Sequence, residues 1–269
     1  MFKNALKISL CLFLLNPTST FADSISDAVN DEARPLVQRL RDEYRNPQQT
    51  LRFFDVQPDM AVAEITPGGG WYTSILAPLL KDNGELYAAH FYIDETSKPY
   101  YKKSLESFKE KIKTVPAYEK IKLTAFHPTK SLDFAPAGSL DRVLTFRNAH
   151  NWYMSDKQNG LETAFSSFFK ALKKGGILGV VDHKMPESFS DELQEDSGYI
   201  KQSAIVAAAK KAGFVLAAES DINLNSQDTA DYEKGVWTLP PSLRGAEEEQ
   251  AQYIGIGESS RMTLKFLKP

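Results

Sequence analysis

Cysteine is nearly missing from this chain of 269 residues. The one thiol, Cys11, lies in an apolar run close to the N-terminus, and no cysteine follows it. The remainder of the sequence therefore has no disulfide, no thiol nucleophile and no cysteine ligand for a metal. Such a chain can also fold in an oxidising compartment without forming disulfides.

A strong net charge is missing as well. The 32 Lys and Arg residues nearly balance the 35 Asp and Glu residues, which leaves a formal charge of −3. Nucleic-acid partners usually require a strongly basic surface, so we expect none here. With 42% hydrophobic residues, the composition is that of a globular domain that can bury a core.

The first 22 residues have the layout of a secretory signal peptide. Lys3 and Lys7 precede the apolar run, and a polar segment then ends at Ala22. The run, residues 8–15, is too short to span a bilayer. We predict cleavage after Ala22 and a single mature domain, residues 23–269, that is periplasmic or secreted and has no membrane span.

Strand and helix patterns alternate along the mature chain. This alternation predicts an α/β fold with a mostly parallel sheet and helices on both faces, and ligands then bind beyond the carboxyl ends of the strands. Before the first strand, Leu36, Leu40 and Tyr44 predict one apolar stripe of a helical region. The predicted strands are residues 61–65, 85–91, 121–125, 142–146, 177–181, 214–218 and 261–267.

A glycine-rich turn follows the first predicted strand in the stretch AVAEITPGGGWYT, residues 61–73. Such a turn at the start of a helix presents backbone N–H groups and lets a ligand approach the backbone closely. A structural corner between strand and helix would have the same composition. The turn alone is therefore weak evidence for a ligand.

The same stretch resembles the cofactor loop of class I S-adenosylmethionine-dependent methyltransferases. Glu64 matches the acid that ends the first strand, and Gly68 and Gly70 match the last two alternating glycines, while Thr66 replaces the first. FFKALKKGGILGVVDH and AAAKKAGF are typical of the second half of that fold. EITPGGGWYT, LYAAHF, LTFRNAHNW and IGESSRMTLKFLKP resemble a family of predicted methyltransferases, many with signal peptides, whose substrate is not established.

The resemblance implies a Rossmann-like class I methyltransferase fold with a seven-stranded sheet, and S-adenosyl-L-methionine as the cofactor. Enzymes of this fold usually hold the cofactor's ribose with an acid at the end of the second strand. His90 stands there instead, with Asp94 four residues later, which predicts a weaker hold on the ribose. The implied cofactor-binding residues are Glu64, Pro67, Gly68, Gly69, Gly70, Trp71, His90 and Asn148.

The segment FRNAHNW, residues 146–152, carries the densest polar set at any predicted strand end. In the methyltransferase fold this loop lies between cofactor and substrate. We expect His150 to act as a general base, with Asn148 and His183 as further catalytic candidates. Arg147 and Trp152 are candidates for substrate contact, and a structural role is the alternative for Trp152.

Two long segments are predicted as lid insertions, near residues 184–197 and 221–257. Loops of this length in a compact domain are usually functional or disordered, and the second is rich in aromatic residues. Within it Tyr232, Trp237 and Arg244 are candidates for contact with a small-molecule substrate. Packing beneath a lid would explain the two aromatic residues equally well.

Two other classes of function stay open at this point. His150, His183 and Asp182 could form a metal centre, but no HxxxH or HxH spacing supports one, and we expect no metal. A non-catalytic small-ligand-binding protein on the same fold would explain the missing acid of the second strand. It would also explain export from the compartment where the cofactor is made. Neither the oligomeric state nor the methyl acceptor follows from the sequence.

Overall fold

The computed structural model describes residues 19–245 and 249–269, so most of the predicted signal peptide lies outside the described residues. A central sheet has the strand order β3-β2-β1-β4-β5-β8-β7, and a short strand, β6, pairs with β5 beside this path. Strands β1 to β5 pair in parallel, and β8 is antiparallel to both of its neighbours. The predicted mostly parallel sheet is confirmed. The strands are β1 (Ala61–Ile65), β2 (Glu85–Phe91), β3 (Lys122–Phe126), β4 (Leu140–Phe146), β5 (Leu172–Met185), β6 (Ile200–Lys201), β7 (Val215–Ser220) and β8 (Arg261–Leu267).

Helices cover both faces of this sheet. Among the residues that the structure describes, no helix combines the length and apolarity needed to cross a membrane. The described residues include three short 3₁₀ helices, at Pro116–Tyr118, Asp191–Glu195 and Gly235–Thr238. The α-helices are α1 (Ser19–Asn30), α2 (Leu36–Arg39), α3 (Asp42–Arg45), α4 (Pro47–Phe53), α5 (Thr73–Leu80), α6 (Pro99–Thr114), α7 (Ala149–Ala171), α8 (Gln202–Ala212) and α9 (Gln250–Ile256).

Alternation along β1 divides the core into two layers, because successive strand side chains point to opposite faces. Ala63 and Ile65 pack in the layer that contains buried residues of α7 and α8. Val62 points the other way, into the layer formed with residues of α1, α4 and α5. In this second layer the described side chains of α1 contribute Ile25, Ala28 and Val29.

The N-terminal region does not form the predicted apolar stripe. It consists of three short helices, and Leu36 and Leu40 are 61% and 63% exposed. Tyr44 is exposed as well. The residues that this region buries are arginines, Arg34 and Arg45, because each has an acidic partner. The prediction failed here because a periodic pattern assumes that hydrophobic side chains choose the buried face.

The two predicted lid segments pack against each other through residues that the structure describes. The Val236 N–H donates to the carbonyl of Ser197 over 2.8 Å. Met185, Tyr199 and Ala230 join Val236 in a third, small hydrophobic cluster. The role of these segments as a lid stays a prediction.

Candidate functional site

The glycine turn after β1 has an unusual backbone, with three residues in the left-handed region. Thr66 has φ 45°, Gly68 has φ 56° and Gly70 has φ 78°. A Cβ placed on Gly68 or Gly69 would meet no atom within 4 Å, whereas one on Gly70 would lie 3.1 Å from Phe108. The turn is therefore open on the side of Gly68 and Gly69, and closed by packing at Gly70.

Glu64 ends β1 in a buried position beneath this turn. Its carboxylate accepts a hydrogen bond of 2.6 Å from the Thr73 hydroxyl, at the start of α5. Burial raises the pKa of Glu64 to about 7, and the bond from Thr73 opposes that rise. Near neutral pH this carboxyl group is thus divided between its charged and neutral forms.

His90 holds the glycine turn in place instead of facing a ligand. Its Nδ1 accepts from the Phe91 N–H over 2.8 Å, which leaves Nε2 to donate to the carbonyl of Gly68 over 3.1 Å. Burial lowers the pKa of His90 to about 4, so the ring is neutral. Both nitrogens are occupied, and the predicted contact of His90 with a ribose hydroxyl would require one of these bonds to break. Asp94 is engaged elsewhere, with Lys130 2.6 Å away.

A small cavity lies between the carboxyl ends of β1 and β4. Tyr72 stacks on Phe146 in its wall, with ring centroids 3.5 Å apart. The Asn148 amide donates to the carbonyl of Ile65 over 2.9 Å and so joins the two strand ends. The Thr66 hydroxyl oxygen is buried without a hydrogen-bond partner in the described structure. The cavity is lined by Arg45, Glu64, Ile65, Thr66, Pro67, Trp71, Tyr72, Phe146, Arg147 and Asn148.

Beside the cavity, three arginines surround one carboxylate, Glu258, and of these Arg45 and Arg261 are buried and Arg41 is half-buried. Arg41, Arg45 and Arg261 approach its oxygens at 2.6, 3.0 and 3.1 Å. Burial favours the neutral acid, but the arginines outweigh it and lower the pKa of Glu258 to about 2. The sequence analysis missed this cluster. Arg45 lies in α3, Arg41 directly precedes that helix, and Glu258 and Arg261 lie near the end of the chain, so no local sequence pattern links them.

His150 lies in the first turn of α7 and not in a loop, because the helix already begins at Ala149. Its Nδ1 donates to Asp182 over 2.7 Å, and Asp182 also accepts from the backbone N–H of Ala149 and His183 at 2.6 and 2.8 Å. This carboxylate is fully buried on β5. The bond fixes the tautomer of His150 and leaves Nε2 with a free lone pair, as a general base requires.

His150, Asp182 and His183 form the one candidate metal-binding group found within residues 19–245 and 249–269, with ligand atoms within 4.8 Å of one another. The Asp182 oxygens are already used by hydrogen bonds, and His183 Nδ1 lies 2.6 Å from the Ser259 hydroxyl. Burial first, and then His150 and Arg147, hold the pKa of His183 well below its usual value. The expectation of no metal stays a prediction.

The remaining predicted site residues lie away from the cavity. Trp152 packs in the core against Phe126 and Phe168, with centroids 5.5 Å apart in both pairs, because it lies on the inner face of α7. Its structural role thus replaces the predicted substrate contact. Tyr232 and Trp237 pack around the small third cluster, and Arg244 lies over the Trp237 ring at 5.4 Å. The structure does not bring these three to the cavity wall.

Comparison with known proteins gives matches at the level of structure. No family model matches the sequence, and no curated protein matches it. A SAM-dependent methyltransferase from Aquifex aeolicus has a TM-score of 0.55 at 12% identity, over 92% of this chain and 98% of its own. Geranyl diphosphate methyltransferase in complex with SAM has a TM-score of 0.55 at 11% identity, over 91% and 95%. A possible exported protein from Bordetella parapertussis has a TM-score of 0.51 at 14% identity, over 93% and 79%.

Identities this low relate folds, and the fold is what these similarities establish. The strand order with its antiparallel β8, the glycine turn after β1 and the cavity at the ends of β1 and β4 agree with it. The chain has the fold of class I S-adenosylmethionine-dependent methyltransferases.

Proposed function

We propose that this protein is an exported methyltransferase that uses S-adenosyl-L-methionine to methylate a small molecule. The observation that carries the proposal is the cavity itself. It is lined by Glu64 and by Thr66 and Pro67 at the start of the glycine turn, and the buried Thr66 hydroxyl has no partner in the described structure. Unpartnered buried polar atoms are uncommon in folded proteins, and a polar ligand in the cavity would satisfy this one.

The cavity's residues suit the amino-acid end of this cofactor. Glu64 would pair with its ammonium group, and the backbone of the glycine turn would let it approach closely. Trp71, with Arg45 over its ring at 4.6 Å, forms one wall. Asn148 would contribute from the end of β4. Nothing in this set replaces the ribose-binding acid, so we propose modest cofactor affinity.

Methyl transfer needs few groups from the protein. The cofactor supplies an electrophilic methyl group, and a heteroatom of the acceptor forms the new bond to carbon as the bond from carbon to sulfur breaks. The protein positions the reactants and accepts the proton that the acceptor loses. We assign this proton to His150 Nε2, because Asp182 holds Nδ1 and stabilises the resulting imidazolium.

Export is the least direct part of the proposal. It is supported by the signal-peptide pattern and by the similarity to a possible exported protein. Among the side chains that the structure describes, the first buried one of α1 is Ile25, which follows the proposed cleavage position. Cleavage after Ala22 would therefore leave the described hydrophobic core complete.

The direct test is calorimetric binding of S-adenosylhomocysteine, the product form of the cofactor, to residues 23–269. We expect binding at micromolar to submillimolar concentration, and a loss of tenfold or more with Glu64→Ala. The control is Glu119→Ala, which removes an exposed glutamate. No binding to the parent protein at millimolar concentration would contradict the proposal, and would favour a fold that binds another small ligand.

A further inference from the structure

The arginine cluster beside the cavity carries an excess of positive charge. Arg41, Arg45 and Arg261 contact the single carboxylate of Glu258, and Arg147 lies close enough to interact electrostatically with Glu258, Arg261 and Arg41. Four guanidinium groups thus share one carboxylate. Uncompensated buried charge is costly, and proteins usually pair it or use it.

Two of these arginines border the cavity. The Arg45 side chain is 2% exposed, and its Nη2 is buried with no hydrogen-bond partner in the described structure. Arg147 follows β4 directly and holds a left-handed φ of 62°, a conformation that residues other than glycine rarely adopt. Strained backbone of this kind concentrates at functional sites. Both side chains line the cavity wall.

Burial and neighbouring positive charge disfavour the cationic form of both arginines. Burial and the charge of Arg147 lower the pKa of Arg45 to about 9, against the favourable effect of Glu258. Burial also lowers the pKa of Arg147, and Arg261 adds to that effect. An anion between the two guanidinium groups would reverse both shifts and give Arg45 Nη2 its missing acceptor.

The cofactor of the proposed reaction brings no net negative charge. Its amino-acid end carries one ammonium and one carboxylate, and its sulfonium adds a positive charge. Binding it beside four arginines therefore increases the positive excess. A net compensating charge would therefore come from the other reactant.

We propose that the methyl acceptor carries a carboxylate or phosphate group, and that Arg147 and Arg45 bind this group in the cavity. The inference rests on the proposed function and defines its substrate class. The alternative source of the same chemistry is the carboxylate of the cofactor itself. The experiment separates the two.

The probes are phenylphosphonate and benzoate, with benzyl alcohol as the neutral analogue, titrated calorimetrically into protein saturated with S-adenosylhomocysteine. We expect the two anions to bind and benzyl alcohol not to bind. Arg147→Gln should weaken anion binding tenfold or more, and Arg147→Lys should weaken it less because the charge stays. The matched control is Arg52→Gln, which removes an exposed arginine of α4.

The cofactor arm measures S-adenosylhomocysteine and 5′-methylthioadenosine, which lacks the amino-acid end, on the same variants. If the acceptor is the anion, Arg147→Gln should leave both affinities within about twofold. A selective loss for S-adenosylhomocysteine would assign the arginines to the cofactor's carboxylate and overturn the inference. Equal weak binding of anions and benzyl alcohol to the parent protein would also overturn it. If S-adenosylhomocysteine fails to bind, the proposed function falls, while anion binding to the unliganded protein still decides whether the anion site exists.

Discussion

Single buried carboxyl groups decide much of this site's chemistry, and Glu64 is the clearest case. Its folded pKa of about 7 lies above the ordinary value of 4.5, so folding favours the neutral form. The stability that this preference contributes is complete below pH 4.5 and is lost as the pH rises through 7. The shift corresponds to about 3 kcal/mol between these limits.

We predict that Glu64→Gln removes this pH dependence. Glutamine keeps an oxygen that can accept from Thr73 and never ionises. At pH 8 the variant should exceed the parent protein in free energy of unfolding by up to about 3 kcal/mol, and at pH 4.5 the two should be nearly equal. Urea unfolding at both pH values measures the difference. An equal difference at pH 4.5 and pH 8 would show that Glu64 does not titrate between them.

His150 gives a prediction about catalysis. Its Nδ1 is held by Asp182, so Nε2 is the atom that can take a proton. His150→Ala should lower turnover by roughly 10²–10⁴ while S-adenosylhomocysteine affinity stays within about twofold. His127→Ala serves as the control, since His127 lies just after β3, at the far side of the sheet. Unchanged turnover in His150→Ala would assign His150 a structural role. Methyl transfer would then depend on positioning alone.

At the scale of elements, the glycine turn contains one residue that does not suit its conformation. Thr66 is β-branched, yet its φ is 45° where glycine is preferred, and its hydroxyl has no partner in the described structure. Thr66→Gly should raise the free energy of unfolding by roughly 0.5–1 kcal/mol, while Thr66→Ala should give no such gain. Chemical denaturation measures both. If the threonine instead contacts the ligand, Thr66→Gly should weaken S-adenosylhomocysteine binding even as it stabilises the protein.

The sheet was predictable because its strands are short apolar runs bounded by turn residues. The limits of β1, β2 and β8 agree with the sequence prediction, and those of β3 and β7 differ by one or two residues. The predicted starts of helices were less accurate than the predicted limits of strands, since α7 begins at Ala149 where a loop was expected. Asn148 and His150 were selected from their place after a strand. Their place at the edge of the sheet does not depend on that error, because the sheet fixes the carboxyl end of a strand whether a loop or a helix follows.

Over the whole molecule, the parts of the site that sequence reasoning missed depend on contacts between distant residues. Arg45 and Glu258 are 213 positions apart, and no local pattern links them. The exposure of Leu36 and Leu40 also depends on contacts between distant residues. The ion pairs of Arg45 with Glu258 and of Arg34 with Asp42 decide which face of the N-terminal region is buried. Local periodicity cannot anticipate such pairs.

Export gives a prediction about the complete chain. The basic start, the apolar run and Ala22 predict that secreted protein begins at Asp23. N-terminal sequencing of material recovered outside the cytoplasm measures this directly. Folded protein that retains Met1 there would contradict cleavage. A Leu14→Arg change, which interrupts the apolar run, should retain the protein in the cytoplasm.

Glu258 connects the two ends of the described fold, since it binds arginines of the N-terminal region and of β8. Its pKa of about 2 lies below the ordinary 4.5. The lowered pKa means that the charged form of Glu258 stabilises the fold. This stabilisation is therefore present above pH 4.5 and is lost as the pH falls towards 2. Removing the carboxylate at neutral pH should leave the surrounding guanidinium groups buried without a counter-charge.

We therefore expect Glu258→Gln to lower the free energy of unfolding by about 3–5 kcal/mol at pH 7, because breaking a buried pair leaves its partners uncompensated. Glu249→Gln, an exposed glutamate that accepts from Tyr253, is the control and should change stability little.

The same charge argument predicts that phenylphosphonate stabilises Glu258→Gln more than it stabilises the parent protein, since an anion in the cavity then faces a larger positive excess. A thermal-unfolding series with and without phenylphosphonate measures both effects. Equal stabilisation of the two proteins would mean that Glu258 and the cavity anion do not share the same arginines.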